Sequence, residues 1–123
     1  MRSRRACVTA ATCLLVVGCG GPDRVARSLA GADVERGRAA LERFECGACH
    51  AIPGIRGPSS LVGPPLDDFG RRMQLAGRYP NTAEVLVRWI VDPPSLKPDT
   101  AMPDVGVSER DARDMAAYLY TLE

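Results

Sequence analysis

A chain of 123 residues has room for one domain, and with 46 % hydrophobic but only 5 % aromatic residues its core is thin in side chains alone. A large apolar cofactor would remove a broad surface from water and supply what is missing. The formal charge is +1; without Arg2, Arg4 and Arg5, which lie in a segment read below as removable, 16 basic residues fall to 13 against 15 acidic ones. That balance carries no basic stripe able to neutralise phosphates, which excludes nucleic-acid binding.

Residues 1–18 read as a leader. Met1 to Arg5 is basic, and Ala6 to Val17 is apolar and small, the pattern of a secretory signal. The apolar run is about a dozen residues, whereas a membrane span needs roughly 20, so a transmembrane anchor is the weaker alternative. The ending Val16-Val17-Gly18-Cys19 resembles the lipobox of bacterial lipoproteins. That resemblance implies cleavage before Cys19 and lipid on Cys19. Two or three acyl chains give a stable anchor. A chance cysteine in a leader is the rival reading. Residues 19–31 are small, polar and Gly-rich, and are expected to form a flexible tether. The folded domain is then residues 32–123.

A first helix is expected from Asp33 to Glu45, with Val34, Gly37, Leu41 and Phe44 on one face. Gly37 lowers helix propensity by about 1 kcal/mol and fits where another helix crosses closely.

Of five cysteines, Cys7 and Cys13 leave with the leader and Cys19 takes lipid, which leaves Cys46 and Cys49 in Cys46-Gly47-Ala48-Cys49-His50. C-x-x-C-H is the pattern of covalent haem c attachment. Two thioethers must reach two vinyl positions on one porphyrin edge, and the next residue then lies beneath the ring, where an imidazole can bind iron. Three other readings compete. A thioredoxin-like dithiol needs a strand before the motif, but a helical segment precedes it here. Zinc needs four ligands, or three and water, and the mature chain offers no further Cys or His. A disulfide across two residues would leave His50 without a purpose. His50 is the single histidine, which excludes bis-histidine ligation within one chain.

Ala51 to Pro65 holds four Pro and three Gly and is expected to be a loop. Leu66, Phe69 and Met73 have helical spacing, which suggests a short helix over 66–76 with Met73 in the core. Asn81, with Glu84 three residues on, predicts a capped helix with Val85, Leu86, Trp89 and Ile90 on its apolar side. Asp92-Pro93-Pro94 ends it. Ser108 caps a last helix whose stripe is Ala112, Met115, Ala116, Leu119 and Leu122. This helix is expected to cross the first near Gly37, with Tyr118 close by. No β-pattern of useful length and no internal repeat is evident.

An iron held by His50 needs a sixth ligand. Met115 lies on the apolar stripe of the last helix and Met73 in the short segment, so both read as core. Met102 lies in Pro98-Asp99-Thr100-Ala101-Met102-Pro103, a loop closed to helix and strand. Binding iron through its thioether is one reason for an apolar side chain there; packing on the ring edge is the other.

Thr100-Ala101-Met102-Pro103, Gly106-Val107-Ser108 and Asp114 through Ala117-Tyr118-Leu119 resemble the end of a class I c-type cytochrome. Asp33-Val34-Glu35-Arg36-Gly37, Leu41, the haem motif and Gly63-Pro64-Pro65-Leu66 resemble its start. The resemblance implies an all-α, small cytochrome c-like fold of about four helices and Gly/Pro-rich loops wrapped around one haem. It implies His50 and Met102 as axial iron ligands and a Pro64 carbonyl accepting the proton of the His50 ring. Tyr79 and Trp89 resemble residues that hydrogen-bond a propionate. Leu41 departs from the family's common aromatic, and the lysine ring of mitochondrial-type cytochromes is missing, since Lys97 is the only lysine.

The functional expectation is therefore a one-haem, non-enzymatic electron carrier in the bacterial cell envelope, held by lipid at a membrane surface on the periplasmic side or the outer cell surface. With both axial positions filled, no small-molecule substrate is expected. The Gly63-Pro64 region and the final helix look similar to cytochrome domains associated with terminal oxidases. Expected partners are a quinol–cytochrome c reductase and a terminal oxidase. The alternatives are a fixed haem relay within a larger respiratory complex, and a gas or redox sensor in which Met102 detaches.

Overall fold

A computed structural model describes residues 27–57 and 62–123. Within them, four helices carry the fold: α1 (Val34–Arg43), α2 (Ala83–Val91), the single turn α3 (Pro93–Leu96) and α4 (Glu109–Leu119). The leader, Cys19 and residues 20–26 of the expected tether lie outside the described residues.

Helix α1 begins where the Asp33 side chain accepts the Arg36 N–H, satisfying one donor that the first turn leaves free. It packs chiefly against α4, and α2 packs on α4 from another side. Small residues let the backbones approach: Ala40, Ala112 and Ala116 are at most 1 % exposed. Gly37 makes the closest approach, for a Cβ there would stand 1.9 Å from Asp114 O and 3.0 Å from Met115 N. The expected crossing at Gly37 is present, with Asp114 and Met115 nearest the glycine. Tyr118, one turn further on, donates to Pro53 O at 2.7 Å. Leu41, Leu86, Met115 and Leu119 fill the core between these helices.

Burying Asp114 at this crossing is possible because all its acceptors are used. Its carboxylate takes the Asp33 N–H at 2.7 Å and the Arg36 guanidinium at 2.8 and 3.0 Å. Arg36 beside it holds the Asp114 carboxyl below the ordinary range, against the opposing effect of burial.

The segment 66–76 is not a helix. Asp68 adopts a left-handed φ of 53°, and only Phe69–Arg71 form a 3₁₀ turn. The carbonyls that a helix would use accept side-chain donors instead: Asn81 Nδ2 binds Phe69 O and Arg72 O, and Arg72 binds Pro65 O and Asp67 O. Phe69 is buried and meets the Tyr120 ring edge-on at 5.8 Å. Met73 is 85 % exposed, so its expected place in the core is wrong. The chain then forms a short antiparallel pair that the periodicity did not reveal, β1 (Gln74–Leu75) and β2 (Tyr79–Pro80), with Leu75 opposite Tyr79. Ala76 and Gly77, at φ 50° and 83°, make its turn.

Helix α2 is capped by Thr82, whose hydroxyl accepts the Val85 N–H, and not by Asn81. Asn81 is occupied on three sides, its oxygen accepting from Tyr120 Oη at 2.9 Å. Asp92 ends α2 and also caps α3, where Pro93 sits at the first position and needs no N–H partner. Ser108 caps α4 as expected. Residues 28 and 29, expected at the end of a tether, pack on the domain. Leu29 is buried, Ser28 Oγ meets Glu84 at 2.6 Å, and Ser28 O accepts from Arg113 at 2.5 Å. Ordered contacts therefore start upstream of residue 32.

Candidate functional site

Helix α1 stops at Phe44, and Glu45 turns the chain sharply with a left-handed φ of 54°. Cys46–Ala48 then form one 3₁₀ turn, extended by hydrogen bonds from the Cys49 and His50 N–H groups to Cys46 O. Positions three apart in such a turn share a face, so the two thiols are presented together with His50 next in the chain. Gly47 lies under this turn because the loop folds back onto it: a Cβ at 47 would stand 2.5 Å from Arg56 O. Cys46 and Cys49 are unpaired and half-buried. Burial pushes the Cys46 thiol up from its ordinary range, with a smaller contribution from neighbouring Cys49.

The chain returns beneath His50 after the loop. The Gly63 N–H donates to Cys49 O and the Leu66 N–H to Ala51 O, both at 2.8 Å. These two bonds press Gly63 against the imidazole, where a Cβ would stand 2.3 Å from Cε1 and 2.8 Å from Nε2. His50 Nδ1 lies 2.8 Å from Pro64 O. A carbonyl only accepts, so Nδ1 carries the hydrogen and Nε2 is left with a lone pair.

The three methionines downstream of the leader have separate surroundings. Met115 is fully buried between the helices, Met73 is in solvent, and Met102 is half-buried in its loop. The Met102 N–H donates to Thr100 Oγ1 at 3.1 Å, which turns the loop at that point. Trp89 is half-buried against the core. Tyr79 Oη gives its hydrogen to Leu96 O at 2.5 Å and lies 3.1 Å from Arg78 Nη2. Its phenol hydrogen thus points at a backbone carbonyl. The roles of Gly63, Arg78 and Leu96 were not legible beforehand; Gly63 next to Pro64 was the one available signal.

The donor set fits a haem and fits a bare metal ion poorly. No cluster of three or more His, Cys, Asp or Glu side chains able to hold a metal occurs among the described residues. An iron delivered within a porphyrin asks less of the protein: two thiols on one turn, one imidazole nitrogen and one soft thioether. Among the described residues no helix is long and apolar enough to cross a membrane.

Residues 34–123 match the family model for cytochrome c. The chain is 38 % identical over 89 residues to cytochrome c oxidase subunit 2 of Alkalihalophilus pseudofirmus, covering 72 % of this chain and 25 % of that protein. It is 35 % identical over 65 residues to cytochrome c oxidase subunit 2 of Bacillus sp. strain PS3, covering 51 % of this chain and 18 % of that one. The chain thus spans a quarter or less of the length of these relatives. With the match running from the first residue of α1 to the C-terminal residue, the chain belongs to the cytochrome c family, the class I c-type cytochromes that bind haem c covalently and transfer electrons.

Proposed function

We propose that Cys46 and Cys49 hold one haem c by thioether bonds, that His50 Nε2 and the Met102 sulfur bind its iron, and that the protein carries single electrons at a membrane surface. The observation that carries this reading is the His50 ring, seated on Gly63 with Nδ1 at 2.8 Å from Pro64 O. That bond orients the ring and makes Nε2 a better ligand. When bound, haem c supplies the iron whose ferric–ferrous change holds the electron. The protein contributes an imidazole whose orientation is fixed, and the thioether from Met102 favours the ferrous state. The one phenol hydrogen of Tyr79 goes to Leu96 O, which leaves Trp89 as the propionate donor of the two.

Lipid on Cys19 would confine the domain to a bacterial envelope membrane, raising its effective concentration near membrane partners. A quinol–cytochrome c reductase as donor and a terminal oxidase as acceptor complete the proposal. The two relatives are subunits of cytochrome c oxidase, which favours the oxidase as acceptor and keeps a second reading in play, a haem relay held within such a complex. Stable retention in a detergent-purified oxidase would select the relay; recovery as a free protein would select the carrier.

The ligand set is tested by optical spectra of the haem-loaded protein. The weak ferric sulfur-to-iron band is expected in the wild type, in Met73→Ala and in Met115→Ala, and should vanish in Met102→Ala. A high-spin ferric spectrum with ready carbon monoxide binding on reduction would overturn the carrier and leave a sensor with a labile Met102.

A further inference from the structure

The loop that carries Met102 is held lightly. The described hydrogen bonds of residues 98–106 all run within residues 97–106: Thr100 N–H to Lys97 O, Met102 N–H to Thr100 Oγ1, and Gly106 N–H to Asp104 Oδ1. Its far end is anchored by buried Val107 and the Ser108 cap. Its near end begins at Leu96, the last residue of α3, whose side chain is buried. A carbonyl at the end of a helix has no partner within the helix. Leu96 O finds two from elsewhere: Tyr79 Oη donates at 2.5 Å and Arg78 Nη2 at 3.3 Å. Arg78 lies over the Tyr79 ring, 5.1 Å from its centroid, which fixes the pair to each other. Both project from the tight hairpin β1–β2, whose turn is closed by Arg78 N–H to Leu75 O.

We propose that Tyr79 and Arg78 are positioning residues that latch the Met102 loop through Leu96 O, and so govern how readily the Met102 sulfur leaves iron. The proposal rests on Met102 being the iron ligand. The phenol therefore acts on the distal side of the haem through the backbone. Without the latch, the near end of the loop would keep only the buried Leu96 side chain and the Lys97 N–H bond to Pro93 O, and the far end Val107 and the Ser108 cap. A soft ligand on a loop bonded mainly to itself depends on how firmly its ends are held, and the two bonds to Leu96 O stiffen the near end.

The test measures cyanide binding to the ferric, haem-loaded full chain, a reaction in which cyanide must displace the thioether, together with the sulfur-to-iron band. Tyr79→Phe removes the hydroxyl alone and should accelerate cyanide binding about tenfold, the effect of one well-formed hydrogen bond. The double variant Tyr79→Phe/Arg78→Ala should be faster still and show a weakened band. Tyr118→Phe is the control: it loses an equally good bond, to Pro53 O at 2.7 Å, whose acceptor lies outside the Met102 loop and its two ends. It should lower the unfolding midpoint and leave cyanide binding at the wild-type rate. An unchanged rate in Tyr79→Phe, or equal acceleration in Tyr79→Phe and Tyr118→Phe, would overturn the latch and leave Met102 as ligand. Absence of the sulfur band from the wild type would overturn the ligand reading and the latch with it.

Discussion

Gly37 and Asp114 bring two helices together so closely that a Cβ on residue 37 would stand 1.9 Å from the Asp114 carbonyl oxygen. The obstacle is backbone, which cannot swing aside. Gly37→Ala should therefore separate α1 from α4 despite the better helix propensity of alanine, about 1 kcal/mol. Overpacking of this kind costs about 3 kcal/mol, so the net change is destabilising. Denaturant unfolding of the haem-loaded variant checks it; a gain in midpoint would mean the helices can part without loss.

The Asp114 carboxylate at the same crossing makes stability depend on acid. Arg36 and the Asp33 N–H lower its pKa in the folded state. The unfolded carboxylate therefore binds a proton first as pH falls, so the stabilisation is complete above the ordinary carboxylate pKa and is lost as pH drops through the lowered folded value. Asp114→Asn should be less stable at neutral pH by about 1 kcal/mol or more, since a buried carboxylate that accepts from Asp33 and Arg36 is replaced by an amide with one acceptor oxygen. It should also lose stability less steeply on acidification. Thermal melts over a pH series compare the two slopes.

Gly63 gives the His50 ring its seat. In Gly63→Ala the ring must move, because its atoms lie 2.3–2.8 Å from the added carbon. Movement weakens the Nδ1 bond to Pro64 O, and with His50 as the proposed iron ligand the imidazole would be a poorer electron donor. Ferrous iron would then be relatively favoured, so the reduction potential should rise. The shift equals the difference in that bond between the two iron states, so it is at most roughly 40 mV, the one-electron equivalent of a bond of about 1 kcal/mol. Spectroelectrochemical titration decides; a fall in potential would contradict the assigned direction.

Ala76 holds a left-handed φ of 50° in the hairpin turn that presents Tyr79. That conformation costs a residue with a side chain about 1–2 kcal/mol relative to glycine. Ala76→Gly should stabilise the protein by about 1 kcal/mol, after allowing for the extra freedom of glycine in the unfolded chain. The unfolding midpoint reads it out, and a decrease would show that unfolded-state entropy dominates.

Local chemistry made the sequence legible wherever a single turn or a short periodicity decides the outcome. C-x-x-C-H signals covalent haem attachment because the spacing presents two thiols on one side of a turn, with an imidazole directly after them. The stripe of Ala112, Met115, Ala116 and Leu119, with Ser108 ahead of it, was sufficient to place α4. Gly37 in a helical pattern announced a close crossing. These inferences needed only neighbours a few residues away, where the geometry of a turn holds whatever the rest of the chain does.

Tertiary structure alone decided what depended on partners distant in sequence. Leu66, Phe69 and Met73 have helical spacing, yet Asn81 and Arg72 bind the carbonyls that a helix would use, and Met73 ends in solvent. Asn81 and Thr82 are both good caps; Tyr120, 39 residues from Asn81, occupies its oxygen, and Thr82 caps α2. Tyr79 could donate to any nearby acceptor until Leu96, 17 residues on, presented a free helix-end carbonyl. A side chain's local preference is worth about 1 kcal/mol or less, and one well-placed hydrogen bond from another element equals it, so the distant partner prevails.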